Sequence, residues 1–144
     1  TSPFQVNLAY QVPRKKTADY IGKAALEHQR AQIEKGDYPF ALKLVGLKMG
    51  GLPITDYAPD FWLVADEDGT RCGYVTSPWY SPELEQNIAL AYVPWDKSAI
   101  GTGLKVELPE MYQETSGKSV DAIVSEVPFV PSAHPSAREQ RKAG

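Results

Sequence analysis

Apolar residues recur along this chain at two different periods, and the change of period divides it. Phe4, Val6, Leu8 and Tyr10 fall on one side at period 2, which predicts a strand. Pro13-Arg14-Lys15-Lys16 breaks that pattern with a basic loop. From Asp19 to Lys35 the pattern is helical. Thr17 or Asp19 can cap the start, Ala24, Ala25, Leu26 and Ala31 favour helix, and Gly36 ends it. Ile21, Ala24, Ala25, Ala31 and Ile33 make a narrow stripe able to dock one face.

After Gly36 the signals are those of strands. Phe40 to Met49 is an apolar run closed by Gly50-Gly51, and Phe61 to Ala65 is ended by Asp66-Glu67-Asp68-Gly69, a hairpin signal. Arg71 to Ser77 follows, then a Pro-punctuated loop, Pro78-Trp79-Tyr80-Ser81-Pro82. Asn87 to Val93 is apolar on both alternations, which predicts a central strand buried on two sides. Leu104, Val106 and Leu108 alternate with Lys105 and Glu107, the mark of a half-exposed strand. Val120 to Val127 closes the set before Pro128-Phe129-Val130-Pro131. Six short strands separated by turn signals predict a mainly β fold, a closed barrel or small sandwich, preceded by one α-helix. The polar, small and basic tail from Ser132 is expected to be mobile or draped over the surface.

Composition narrows the class. A chain of 144 residues fits one domain, and 11 Gly with 12 Pro fit one rich in turns. The net charge of −3, with both signs interspersed, argues against a nucleic-acid or anionic-membrane surface. The single cysteine, Cys72, excludes an internal disulfide and any multi-cysteine metal site. No apolar run approaches the ~18 residues of a membrane span. The chain starts at Thr1 without a signal peptide, and the expectation is a cytoplasmic piece of a longer protein.

Autonomous chemistry finds little support. There is no Walker-type phosphate loop, nucleophile elbow or His-Glu-x-x-His. His28 and His134 read as solvated, and Cys72 beside Arg71 reads as a small buried hydrophobe rather than a nucleophile. Asp66, Glu67 and Asp68 are accounted for by the turn that Gly69 completes. No catalytic and no metal-ligating residue is therefore assigned. The unusual feature is the aromatic loading of loops and strand ends: Tyr10, Tyr57, Trp62, Trp79, Tyr80 and Trp95. These rings either plug the barrel mouth or wall a pocket for a flat ligand completed by another domain.

Several strings, taken together and in order, resemble a known family. They run from Tyr20-Ile21-Gly22-Lys23-Ala24-Ala25-Leu26 through Leu44-Val45-Gly46-Leu47, Gly73-Tyr74-Val75-Thr76-Ser77 and Ser81-Pro82. They continue with Asn87-Ile88-Ala89-Leu90-Ala91-Tyr92-Val93, Gly101-Thr102-Gly103-Leu104-Lys105-Val106-Glu107 and Val127-Pro128-Phe129-Val130-Pro131. The ordered set resembles the C-terminal part of the glycine-cleavage T-protein (aminomethyltransferase) family and its relatives, the folate-dependent demethylases. The resemblance implies a six-stranded antiparallel barrel-like domain over residues 37–131. Residues 1–36 would then lead in as strand, basic loop and helix from an N-terminal folate-binding region of the same polypeptide, and 132–144 would form a tail. It implies tetrahydrofolate as cofactor, with the catalytic aspartate in that other region, so this chain by itself would not be catalytic.

Residue by residue, the resemblance places Tyr10 where relatives carry an aromatic close to the cofactor. Lys43 and Leu44 fall where some members carry Arg before Val-Gly-Leu. Leu44 departs from that, and Lys43 lies one residue off, on the opposite strand face. Thr76-Ser77 is followed by Pro78-Trp79-Tyr80 where T-proteins read Gly, a bulk more like demethylases of aryl methyl ethers or dimethylsulfoniopropionate. Tyr10, Lys43, Trp79 and Tyr80 are the candidate cofactor-binding residues. The first expectation is the C-terminal domain of a tetrahydrofolate-dependent demethylase acting on a small methyl donor. The second is that of a glycine-cleavage aminomethyltransferase, and a third is a non-catalytic partner-binding barrel.

Overall fold

A computed structural model describes residues 1–15, 17–56 and 61–130. Tyr57, His134, Pro131 and the tail expected over 132–144 lie outside the described residues. Six strands, β1 (Leu42–Met49), β2 (Trp62–Ala65), β3 (Arg71–Ser81), β4 (Gln86–Pro94), β5 (Gly103–Glu107) and β6 (Ser119–Ser125), close into a barrel in the order β1-β4-β3-β2-β5-β6. Every pairing is antiparallel. The expected mainly β, barrel-like architecture is the one found.

Alternation builds the interior. Val45, Leu47 and Met49 of β1, Trp62 and Val64 of β2, and Val75 of β3 point inward and are buried. Ala89, Ala91 and Val93 of β4 meet them, with Leu104, Val106, Val120, Ala122 and Val124 from β5 and β6. A six-stranded barrel has room only for side chains, and small Ala beside Leu, Met and Trp fills it. On β3, Gly73 is required by a close approach: a Cβ there would collide with the Tyr92 carbonyl of β4.

Three local expectations are corrected. The segment Phe4 to Tyr10 is not a strand. Asn7 takes a left-handed φ of 62°, the preceding residues turn, and Ala9–Gln11 forms a 3-10 turn. It still completes the barrel, because β6 pairs with β1 only from Gly46 to Met49. Upstream of that, the Leu44 N–H donates to the Gln5 carbonyl and the Leu44 carbonyl accepts from Asn7 Nδ2 at 2.8 Å. Second, the expected loop Pro78–Ser81 is the end of β3, paired with β4 as Pro78 with Ala89 and Trp79 with Ile88. β2 reaches only as far as Val75, so β3 is an edge there and tolerates a residue without N–H. Third, β4 is buried on one side only. Ala89 and Ala91 face the interior, whereas Ile88, Leu90 and Tyr92 point outward and are half-buried.

Helix α1 (Lys23–Glu34) begins at Gly22, whose φ of 86° turns the chain without a side-chain cap. Asp19 accepts the Tyr20 N–H instead. Its alanines are exposed, and the helix is anchored by polar groups. Ser2 Oγ donates to Gln29 Oε1 at 2.9 Å, and Arg30 donates to the Val12 carbonyl at 2.7 Å while lying over the Phe4 ring. A second, short helix, α2 (Glu110–Ser116), occupies the stretch between β5 and β6. The turn after β2 forms as expected: Asp66 Oδ1 accepts the N–H groups of Asp68 and Thr70, and Gly69 takes φ 84°.

Packing sets the expected ranking of variants. Leu47→Ala, at a fully buried site, should cost about 2–5 kcal/mol in denaturant unfolding, whereas Leu90→Ala, half-buried, should cost about 1 kcal/mol. Gly73→Ala should destabilise more than Gly46→Ala. The nearest atoms a Cβ at Gly46 would meet are side-chain atoms of Val127 and Phe129, at 2.7 and 2.8 Å, rather than backbone. Equal losses would mean that the β3–β4 approach is looser than described.

Candidate functional site

At the barrel end where β1 begins and β4 finishes, Lys43 and Val93 are in register. Lys43 therefore points to the inner side, at the mouth. Its ammonium stands 5.1 Å from the centroid of the Trp95 ring, and Tyr38 stacks on Trp95 at 4.5 Å with 11° between planes. Partial burial lowers the Lys43 pKa from the ordinary 10.5. Trp95 Nε1 is buried with no hydrogen-bond partner among the described residues. On the same mouth Asp66 pairs with Lys97 at 3.4 Å. The Thr70 N–H holds the Asp66 carboxyl below its usual range, with Lys97 and the Asp68 N–H adding to the effect. Cys72 packs against the core, and burial, with the Asp66 charge, pushes its thiol up. A thiol held up in this way is a poor nucleophile.

The opposite end is organised by Asn87, a residue whose sequence context showed only a strand start. Its buried amide donates from Nδ2 to the Gly50 carbonyl at 3.0 Å and the Leu52 carbonyl at 2.9 Å, and its Oδ1 accepts the Ile54 N–H at 2.9 Å. One side chain thus holds the segment from Gly50 to Ile54. Beside it, Tyr112 of α2 packs against Trp62 and exchanges hydrogen bonds with the Asp56 backbone. Trp62 is buried core, not a pocket wall.

The four candidate cofactor residues are not brought together. Tyr10 is exposed on the N-terminal segment, three residues past Asn7. Trp79 is 52% exposed on the outer face of β3, while Tyr80 alternates to the other side and is half-buried. Lys43 lies level with Val93 and Trp79 with Ile88, five residues apart on β4, or about 17 Å along the strand. The two hollows described do not collect them either. One, of about 380 Å³, lies over β5 and β6 between Glu67, Lys105 and Ile123. The other, of about 160 Å³, lies between Phe4, Arg14 and Arg30. Tyr10 is exposed with its hydroxyl accepting from Gln11 Nε2 at 3.3 Å, whereas the Lys43 ammonium is seated against Trp95. Among the described residues no three His, Cys, Asp or Glu side chains are placed to hold a metal, and no helix is long and apolar enough to cross a membrane.

Comparison with known proteins identifies the barrel. Residues 43–131 match the family model described as the glycine cleavage T-protein C-terminal barrel domain. An aminomethyltransferase of Symbiobacterium thermophilum is 36% identical over 135 residues, covering 92% of this chain and 31% of the relative. The mitochondrial aminomethyltransferase of Homo sapiens is 30% identical over 135 residues, covering 92% of the chain and 29% of its own length. The crystal structure of glycine cleavage system aminomethyltransferase T from Bartonella henselae superposes with a TM-score of 0.66 at 29% identity. It covers 90% of this chain and 32% of that one. The chain thus spans about a third of the relatives it matches.

The lowered pKa of Lys43 has a definite consequence. Between the folded value and 10.5 the unfolded chain binds more protons, so this group makes stability rise with pH through that window. Lys43→Met should remove that rise. The difference in Tm between the two proteins, followed from pH 8 to 11, should narrow in favour of the native chain as pH increases. A difference independent of pH would place the ammonium in water.

Proposed function

This chain belongs to the glycine cleavage T-protein family, and from that premise we propose that it is the C-terminal barrel of a tetrahydrofolate-dependent aminomethyltransferase. In this reading residues 1–36 lead into a barrel domain that begins at residue 37. The observation that carries the reading is the similarity to aminomethyltransferases over more than nine-tenths of the chain. The demethylase reading rested on bulky residues in a loop before Ser81. That segment is β3, so its bulk no longer marks a substrate-facing loop, and the aminomethyltransferase reading takes precedence.

In this reading tetrahydrofolate supplies the amine that accepts a one-carbon unit from the donor. The catalytic acid lies in the preceding region of the same polypeptide. The barrel contributes position: Tyr10, exposed three residues past the anchored Asn7, presents a flat ring to the cofactor, and Arg30 and Asn7 fix the segment that carries it. Cytoplasmic location stays part of the proposal, although the human relative is named as mitochondrial.

The full polypeptide carrying this chain should release ammonia from an aminomethylated lipoyl carrier only when tetrahydrofolate is present. Formation of 5-methyltetrahydrofolate from a methoxybenzoate instead would restore the demethylase reading. Tyr10→Ala should weaken tetrahydrofolate binding by about 1 kcal/mol, roughly five-fold in Kd, with the melting of the barrel unchanged. Unchanged affinity with a lost fold would make Tyr10 a packing residue.

A further inference from the structure

The two halves of the barrel present different outer faces. On β5 and β6 the outward residues Lys105, Glu107, Ser119 and Asp121 are polar and exposed, as a solvated antiparallel sheet requires, and only Ile123 is apolar. Across β2, β3, β4 and β1 the pattern reverses. Leu63 is level with Tyr74, Tyr74 with Tyr92, and Tyr92 with Leu44, so one row of four apolar side chains crosses four strands on the outside. Tyr74 contacts Tyr92 at 5.6 Å and Phe61 at 5.4 Å between ring centroids, and Phe61 is 69% exposed. Further along, Leu90 follows, and exposed Trp79 stands level with Ile88. Among the described residues the charges on this face stand at its rim, with Lys48 level with Ile88 and Arg71 level with Ala65, and Ser77 is a polar residue within it.

We propose that this aromatic outer face of β2–β3–β4 is the docking surface for the polypeptide that precedes the barrel, an inference that rests on the proposed function above. Three observations choose that occupant. The matched family model is a C-terminal domain, and the relatives are about three times as long, so a region twice the size of this chain precedes the barrel in them. The chain enters the barrel at one end of the apolar row, where Gln5 and Asn7 hydrogen-bond Leu44. A covalently attached neighbour at that point meets the face at high effective concentration. Finally, the face is apolar and aromatic at its centre with charge at the rim, the anatomy of a surface that is covered.

Trp79 on this account is a docking residue rather than a folate contact. Hydroxyl-radical footprinting of the 144-residue chain and of the full polypeptide, read at Trp79, Phe61 and Ile123, tests the assignment. Labelling of Trp79 and Phe61 should fall about five-fold or more in the full polypeptide, while Ile123 on the polar half stays unchanged. Trp79→Lys should leave the melting of the 144-residue chain unchanged and restore Phe61 labelling in the full polypeptide. Equal labelling of Trp79 in both proteins overturns the proposal. Protection already present in the short chain, rising with concentration alongside a dimer in sedimentation, overturns it in favour of a second copy. Assaying aminomethyl transfer on the same samples separates the two readings: transfer with Trp79 still labelled sinks the docking face alone, and protection without transfer sinks the activity alone.

Discussion

Closure of six strands into one barrel is the constraint from which the rest of this molecule follows. A ring of that size encloses a space only as wide as the side chains that fill it, so each strand contributes alternate residues and no more. Val45, Leu47 and Met49 meet Ala89, Ala91 and Val93 across the β1–β4 pairing, and the small alanines make room for the larger partners. Where β3 and β4 come closest, even a methyl group is too large, and Gly73 lies under the Tyr92 carbonyl. The interior is consumed by packing. Neither of the two hollows among the described residues lies inside it, and function is sought at the mouths and on the outside.

The same closure explains what could be read from the residues alone. Strands whose one face is buried and whose other face is solvated announce themselves by period, and Leu104-Lys105-Val106-Glu107 is a direct instance. The turn at Asp66 to Gly69 was legible because its chemistry is local: a carboxylate accepts two N–H groups and a glycine takes positive φ. What was not legible depends on distant partners. Pro78 looks like a loop residue, and it sits in a strand only because β2 stops at Val75 and leaves β3 an edge. Phe4 to Tyr10 alternates like a strand, but Asn7 turns the chain so that a single residue, Leu44, is paired.

The candidate site was less legible than the fold for the same reason. A string of residues close in sequence can be split by a strand's alternation, as Trp79 and Tyr80 are, or separated along a barrel, as Lys43 and Trp79 are. Family resemblance transfers residue types to positions, but not the elements that complete the site. Asn87 shows the converse. Nothing in its sequence context distinguished it, yet its amide fulfils three backbone partners of the loop from Gly50 to Ile54. A buried amide with that many obligations fixes a loop more firmly than apolar packing, because each unmet hydrogen bond would leave a desolvated group.

Apolar residues on both alternations of β4 first suggested burial on two sides, and the structure divides that signal into two kinds. Ala89 and Ala91 are apolar because the interior is closed. Ile88, Leu90 and Tyr92 are apolar although the described residues leave them half-covered. The equivalent outer positions of β5 and β6 carry charges and hydroxyls instead. An outward apolar set raises the cost of the free domain in water and gains only when something covers it. On the docking proposal, the excess hydrophobicity of β4 serves assembly. It gives the barrel a polar side and an apolar side, and so an orientation, before any partner arrives.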